Sequence, residues 1–137
     1  MKFEKSCGAI IIKRNSDKIE TLLIQMIGGH WSYPKGHVED NETEVETALR
    51  EIKEETNLDV IIDTRFREIT TYSPKPGVIK DVIYFLAFAK TLDVKVQEEE
   101  VANYEWVDIN DATKLITFEE DRKIFKKVIK FINEILE

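Results

Sequence analysis

An α/β (α+β) domain, with strands and helices layered on each other, is the architecture predicted by this 137-residue chain. Three patterns carry the prediction. Apolar, β-branched runs such as Cys7–Ile12 read as buried strands. Residues 43–56 place Val45, Ala48, Leu49 and Ile52 on one helical stripe. Ile124, Phe125, Val128, Phe131, Ile132 and Ile135 recur at helical spacing, so the described pattern closes with an amphipathic helix. Mixed strands and helices of this kind pack as layers around a shared core.

In chain order, Cys7–Ile12 is the first strand and Thr21–Ile27 the second, joined through a polar turn at Asn15–Lys18. Gly28 and Gly29 end the second strand. The helix of residues 43–56 begins at Thr43, which with Glu46 forms a capping box. Val60–Thr71 reads as extended, and Tyr72–Gly77, with two prolines, as a loop. Val78–Ala89 reads as a central strand and Glu105–Val107 as a short one. Asp108–Leu115 suggests a short helix, and Thr117 with Glu120 suggests a capping box for the last. No repeat or Pro/Gly-rich linker divides residues 1–137, which read as a single domain.

Composition narrows the function classes. No window approaches the roughly 18 apolar residues of a membrane span, and no leader pattern opens the chain. A single Cys, Cys7, fits a reducing, cytoplasmic setting and reads as a buried strand residue. The formal net charge is −7. All of that excess lies in residues 36–60, which hold nine acidic and two basic side chains, while the remaining residues balance. Acidity disfavours duplex DNA, whose binding draws on Lys and Arg. A monomer acting on a small molecule is the simplest expectation.

Glu51, Glu54 and Glu55 stand at i, i+3 and i+4 of the first helix, within one turn. Like charges at that spacing destabilise a helix by a few tenths of a kcal/mol per pair, roughly. A solvated acidic face is one reading; hard oxygen ligands for Mg²⁺ or Mn²⁺ are the other.

The flanks decide between them. Gly36, Glu42, Arg50, Glu51, Ile52, Glu54, Glu55 and Leu58 meet eight of the nine fixed positions of the pattern G-x5-E-x7-R-E-U-x-E-E-x-G-U, U being a bulky aliphatic. The stretch resembles the Nudix box. Its one departure is Asn57 in place of Gly, at a helix end where Asn also tolerates the left-handed conformation. The resemblance implies the Nudix fold, a mixed β-sheet between helices, and hydrolysis of a nucleoside diphosphate linked to another group. It implies that Glu51, Glu54 and Glu55 hold divalent metal with the Gly36 carbonyl. It implies that Arg50 orients a glutamate, and that Glu42 is structural. Family members differ in which glutamate takes the proton from water; Glu54 is assigned here. Glu100, in Glu98-Glu99-Glu100, is a further ligand or base candidate, against the plainer reading of a solvated loop.

The lead-in His30-Trp31-Ser32-Tyr33-Pro34-Lys35-Gly36-His37, with Cys7-Gly8-Ala9-Ile10 and Tyr104-Glu105-Trp106, resembles the asymmetrical diadenosine tetraphosphate hydrolases of animal and archaeal type. That likeness implies cleavage to ATP and AMP, with Lys35 in the catalytic machinery. It also implies that His30, Lys35 and Lys80 contact the phosphate chain, that Tyr72 stacks on adenine and that Phe118 covers its other face. Tyr33 and His37 complete the expected substrate contacts. The plain alternatives are surface packing for Tyr72, a helix-start staple for Phe118 and a loop histidine for His37. Trp31 reads as structural. Other activities compatible with the box are RNA 5′-pyrophosphohydrolysis, breadth across nucleoside polyphosphates, and diphosphoinositol hydrolysis. A nucleotide-binding regulatory module is the non-enzymatic alternative, and such modules typically lose box glutamates that stand here.

Overall fold

The computed structural model describes residues 1–135. Its strands are β1 (Lys2–Asn15), β2 (Lys18–Met26), β3 (Trp31–Ser32), β4 (Lys35–His37), β5 (Val60–Tyr72), β6 (Val78–Ala89) and β7 (Val101–Asp108). Its helices are α1 (Glu44–Thr56), α2 (Ala112–Leu115) and α3 (Glu119–Ile135). The sheet is mixed, in the order β3-β2-β1-β6-β5, with β4 on β1 and β7 on β2. β1 and β6 run parallel from Lys2↔Val78 to Ile12↔Phe88, and the other pairings are antiparallel.

Both faces of the central strands are covered, which is why their sequences read as continuous apolar runs. Cys7, Ala9 and Ile11 of β1, with Ile83, Phe85 and Ala87 of β6, pack against Ala48 and Ile52 of α1. The alternate residues Ile10 and Ile12, with Val82, Tyr84 and Leu86, pack against Ile124, Phe125, Val128 and Ile132 of α3. The period of two along each strand thus separates two cores with one sheet between them. Desolvation of Cys7 in the first core pushes its thiol up to about 11.

Most predicted elements are present, with longer strands than the patterns marked. β7 spans eight residues where three were marked, and the short helix shrinks to Ala112–Leu115. β3 and β4, two and three residues long, fall in the fork where β1 and β2 part beyond Ile12↔Thr21. The predicted capping box of α3 does not form. Thr117 Oγ1 instead accepts from the Trp31 N–H at 2.8 Å, and the Thr117 N–H donates to the Trp31 carbonyl at 3.2 Å. Pairing with β3 has taken the hydroxyl that would have capped the helix.

Candidate active site

α1 is fixed at both ends by its own sequence. The Glu46 N–H donates to Thr43 Oγ1 at 3.1 Å, and the Thr43 N–H donates to Glu46 Oε1 at 2.9 Å, completing the capping box. Asn57 closes the helix at φ 68°, its N–H donating to the Lys53 carbonyl at 2.9 Å. Asn keeps the left-handed turn in the place of Gly. The buried stripe is rotated from the expected one. Leu49 is 40 % exposed, whereas Glu55 is 1 % exposed on the core side.

The three helix glutamates therefore meet different surroundings. The Glu55 carboxylate accepts from the Lys35 backbone N–H at 3.0 Å and sits behind β4. Burial pushes its pKa up to about 8, partly offset by that hydrogen bond. Burial also raises Glu51, against the lowering effect of Arg50. Glu54 is half exposed.

Arg50 organises the group. Its Nε donates to Glu42 at 2.7 Å and its Nη2 to the other Glu42 oxygen at 2.9 Å, a two-point fork. Nη2 also donates to the His37 carbonyl at 2.9 Å, while Nη1 donates to Glu51 at 2.7 Å and to Glu54 at 3.2 Å. The fork holds Glu42 down to about 2. Glu42 therefore joins the β4 loop to α1 and does not face the cleft.

β4 lies against this helix face. Cys7 pairs with Gly36 and Gly8 with Lys35. A Cβ on Gly36 would overlap the Glu51 carboxylate, so only glycine admits Glu51 to this position. A Cβ on Gly8 would overlap the Pro34 carbonyl and the Lys35 backbone.

Two cavities meet at Lys35. One, of about 400 Å³, is lined by Glu51, Glu54, Glu100, Gly36, His37, Lys80 and Ser6 among others. Glu100 reaches it because the Ile27 N–H donates to the Glu100 carbonyl at 3.0 Å, tying the loop to the end of β2. The Glu100 charge raises both Glu51 and Glu55. Among the described residues no three carboxylate, imidazole or thiol groups form a ready metal cluster. The donor set nevertheless suits a hard divalent cation. The Glu51, Glu54 and Glu100 carboxylates line one cleft, and burial holds Glu51, with Glu55 behind it, above the usual carboxylate range. On the sheet side of the same cleft the chemistry reverses. Lys35, Lys80 and the Ser6 hydroxyl stand there, and Ser6 Oγ is a buried side-chain oxygen with no hydrogen-bond partner. Burial lowers the Lys80 pKa, and repulsion from Lys35 adds to it.

The second cavity, of about 630 Å³, is lined by Lys35, His30, Tyr72, Phe118, Tyr84 and Asp121, among others. Tyr72 is 47 % and Phe118 52 % exposed. The His30 ring lies 5.2 Å from that of Phe118, centroid to centroid, so it sits against an aromatic wall of this cavity. Burial, then repulsion from Lys35, lowers the His30 pKa and favours the neutral ring.

Tyr33, expected among the substrate contacts, is a correction: it is 1 % exposed, and its hydroxyl donates to the Asp121 carbonyl at 2.6 Å. The aromatic ring fills the core, edge-on to Tyr84 at 5.1 Å. Tyr33→Phe should therefore lower stability by about 1 kcal/mol and leave KM unchanged, because α3 holds the Asp121 backbone by its own bonds. Thermal melts and steady-state kinetics check this; a raised KM would return Tyr33 to the substrate site. Sequence reasoning also missed Ser6 and Asp121. The one available signal for Asp121 is its distance from Phe118, three residues or about one helical turn.

A mixed sheet between helices, with a loop–helix–loop carrying Glu51, Glu54 and Arg50 beside a glycine, defines the class. The NUDIX domain model matches residues 3–128, and the chain belongs to the Nudix hydrolase family. Among similar proteins is an asymmetrical bis(5′-nucleosyl)-tetraphosphatase of Rattus norvegicus, 35 % identical over 93 % of this chain and 95 % of that protein. An RNA pyrophosphohydrolase of Nitratiruptor is 26 % identical over 97 % of this chain and 95 % of its own length. Among solved structures, the binary complex of C. elegans Ap4A hydrolase superposes with a TM-score of 0.86 at 33 % identity, covering 96 % of this chain and 98 % of that one. No helix among the described residues is long and apolar enough to cross a membrane.

Proposed function

We propose that this Nudix hydrolase cleaves diadenosine tetraphosphate asymmetrically, to ATP and AMP, with Mg²⁺ or Mn²⁺. The observation that carries the reading is that Lys35 lines both cavities, so an aromatic-walled pocket and an acidic cleft share one cation. A purine between Tyr72 and Phe118 would send its phosphate chain past Lys35 into the cleft. The relatives named asymmetrical tetraphosphatases, at 35 % identity, support the same substrate.

Glu51, Glu54 and Glu100, with the Gly36 carbonyl, would hold the divalent cation, with Glu55 behind them. The cation supplies charge neutralisation and Lewis acidity toward the polyphosphate. Lys35 and Lys80 bind phosphate oxygens from the sheet side. Glu54, half exposed and facing the cleft, takes the proton of the attacking water. A new P–O bond forms from that water, an anhydride P–O bond breaks, and one nucleotide leaves as the other is released. Arg50 holds Glu51 and Glu54 in position.

The decisive experiment is a substrate panel with Mg²⁺ and product chromatography: diadenosine tetraphosphate, ADP-ribose, triphosphorylated RNA, 8-oxo-dGTP and a diphosphoinositol. ATP and AMP as the fastest products support the proposal; fastest release from the RNA end would replace it. Tyr72→Ala should raise KM for diadenosine tetraphosphate by about tenfold or more, since stacking on a base is worth about 1–3 kcal/mol. The effect on kcat should be smaller. An unchanged KM removes Tyr72 from the base site.

A further inference from the structure

We propose that Asp121 selects the base, its carboxylate accepting a hydrogen bond from the 6-amino group of a purine held between Tyr72 and Phe118. This rests on the reading that the 630 Å³ cavity receives a nucleobase. Aromatic stacking tolerates any base, so selection in such a pocket needs a polar group with a defined direction.

Asp121 is that group by geometry. It lines the cavity from the first turn of α3, one turn after Phe118. Ser32 Oγ donates to Asp121 Oδ2 at 3.0 Å and so fixes the orientation of the carboxylate. Among the described residues no donor reaches Oδ1, which leaves one acceptor. Two neighbouring polar groups are committed elsewhere. Thr71 Oγ1 donates to Asp81 at 2.7 Å, and Glu120 on the rim pairs with Lys123 at 3.2 Å.

The charges around Asp121 report the same placement. Burial raises its pKa, Lys35 and His30 pull it down, and Glu120 pushes it up. Asp121 in turn raises both Tyr72 and Tyr84. The Asp121 side chain lines the same cavity as Tyr72, Tyr84, Phe118 and the lysine that leads into the cleft.

Adenine carries an N–H donor at C6, whereas hypoxanthine carries a carbonyl at the same place. Opposite Asp121 that carbonyl would set acceptor against acceptor and leave both without a proton. A site built around one hydrogen bond rejects the analogue lacking the donor more strongly than a purely apolar site can. Substitution of Asp121 by Asn should invert the preference. Its amide oxygen keeps the Ser32 bond and turns the NH₂ into the pocket, where it donates to a C6 carbonyl.

The experiment titrates AMP and IMP into wild type, Asp121→Ala and Asp121→Asn by calorimetry, with kcat/KM for diadenosine and diinosine tetraphosphate in parallel. Wild type should bind AMP about tenfold or more tighter than IMP, a difference of about 1.4 kcal/mol. Asp121→Ala should abolish the difference by weakening AMP, and Asp121→Asn should favour IMP. Equal binding of AMP and IMP by wild type overturns the proposal. So does a wild-type ratio in both variants. The monophosphate titrations involve no cleavage. A preserved AMP preference with no hydrolysis of the dinucleotide would sink the substrate reading alone.

Discussion

Glu54→Gln lowers kcat by about 10³-fold or more, the loss expected when a proton acceptor or metal ligand becomes an amide. Its fold should survive. Glu54 is half exposed, and its protein partner is the Arg50 guanidinium at 3.2 Å, an i,i+4 pair. Exposed pairs of this type are worth about 0.3–0.5 kcal/mol, so Tm should move by no more than about 3 °C. Measuring the Mg²⁺ dependence divides the two roles. A lost base leaves the half-saturating Mg²⁺ concentration where it was, and a lost ligand raises it. Near-normal turnover would remove Glu54 from the chemistry. Collapse in Glu100→Gln instead would move the base to the loop before β7.

The contrast between Glu54 and Asp121 shows which parts of the site are local enough to be legible in a sequence. The capping box of Thr43 and Glu46, the left-handed Asn57 and the clustered acids of α1 are all contained within fifteen residues. Their physics is that of a single helix and its ends, so pattern suffices. Asp121 is different. It becomes a pocket residue through Ser32 on β3 and Tyr72 on β5, elements 89 and 49 positions away along the chain. No window of sequence contains that relation.

The same division accounts for the errors. Leu49 and Glu55 lie about 120° apart on α1, and hydropathy assigns the leucine to the core. On the helix Glu55 falls beside Ala48, about 20° away, where it is buried and accepts from the Lys35 N–H at 3.0 Å, while Leu49 is exposed. Thr117 and Glu120 have the spacing of a capping box, but the Trp31 N–H competes for the hydroxyl from β3. Tyr33 stands in a stretch rich in expected substrate contacts, yet it lies between β3 and β4 with its ring edge-on to Tyr84 in the core and its hydroxyl on the Asp121 carbonyl, while Lys35 lines the cavities. In each case a contact with an element distant in the sequence overrides a plausible local reading.

Gly36→Ala and Gly8→Ala form the second decisive pair, because the same added methyl should have opposite consequences at two positions of one strand pair, Gly8 on β1 and Gly36 on β4. At Gly36 the obstruction is the carboxylate of Glu51, the far end of a flexible side chain. Rotation of that side chain relieves the overlap at small cost, so the protein should fold with little change in Tm. The displaced carboxylate no longer meets the cleft. Loss of a supporting position typically costs about 10–100-fold in metal affinity, and kcat at fixed Mg²⁺ should fall at least as far. High Mg²⁺ should restore part of it. At Gly8 the obstruction is backbone, the Pro34 carbonyl and Lys35 Cα, which no rotamer change can move. There β4 must shift off β1, where Gly8 pairs with Lys35. Overpacking of this kind costs about 1–3 kcal/mol or more, and the Ala9 N–H to Pro34 carbonyl bond at 3.3 Å is lost as well. Gly8→Ala should therefore melt lower, and its activity should not recover with Mg²⁺. Isothermal Mg²⁺ titration alongside thermal melts separates the two. If Gly36→Ala melts as low as Gly8→Ala, the glycine is a folding requirement and its assignment to the cation site falls.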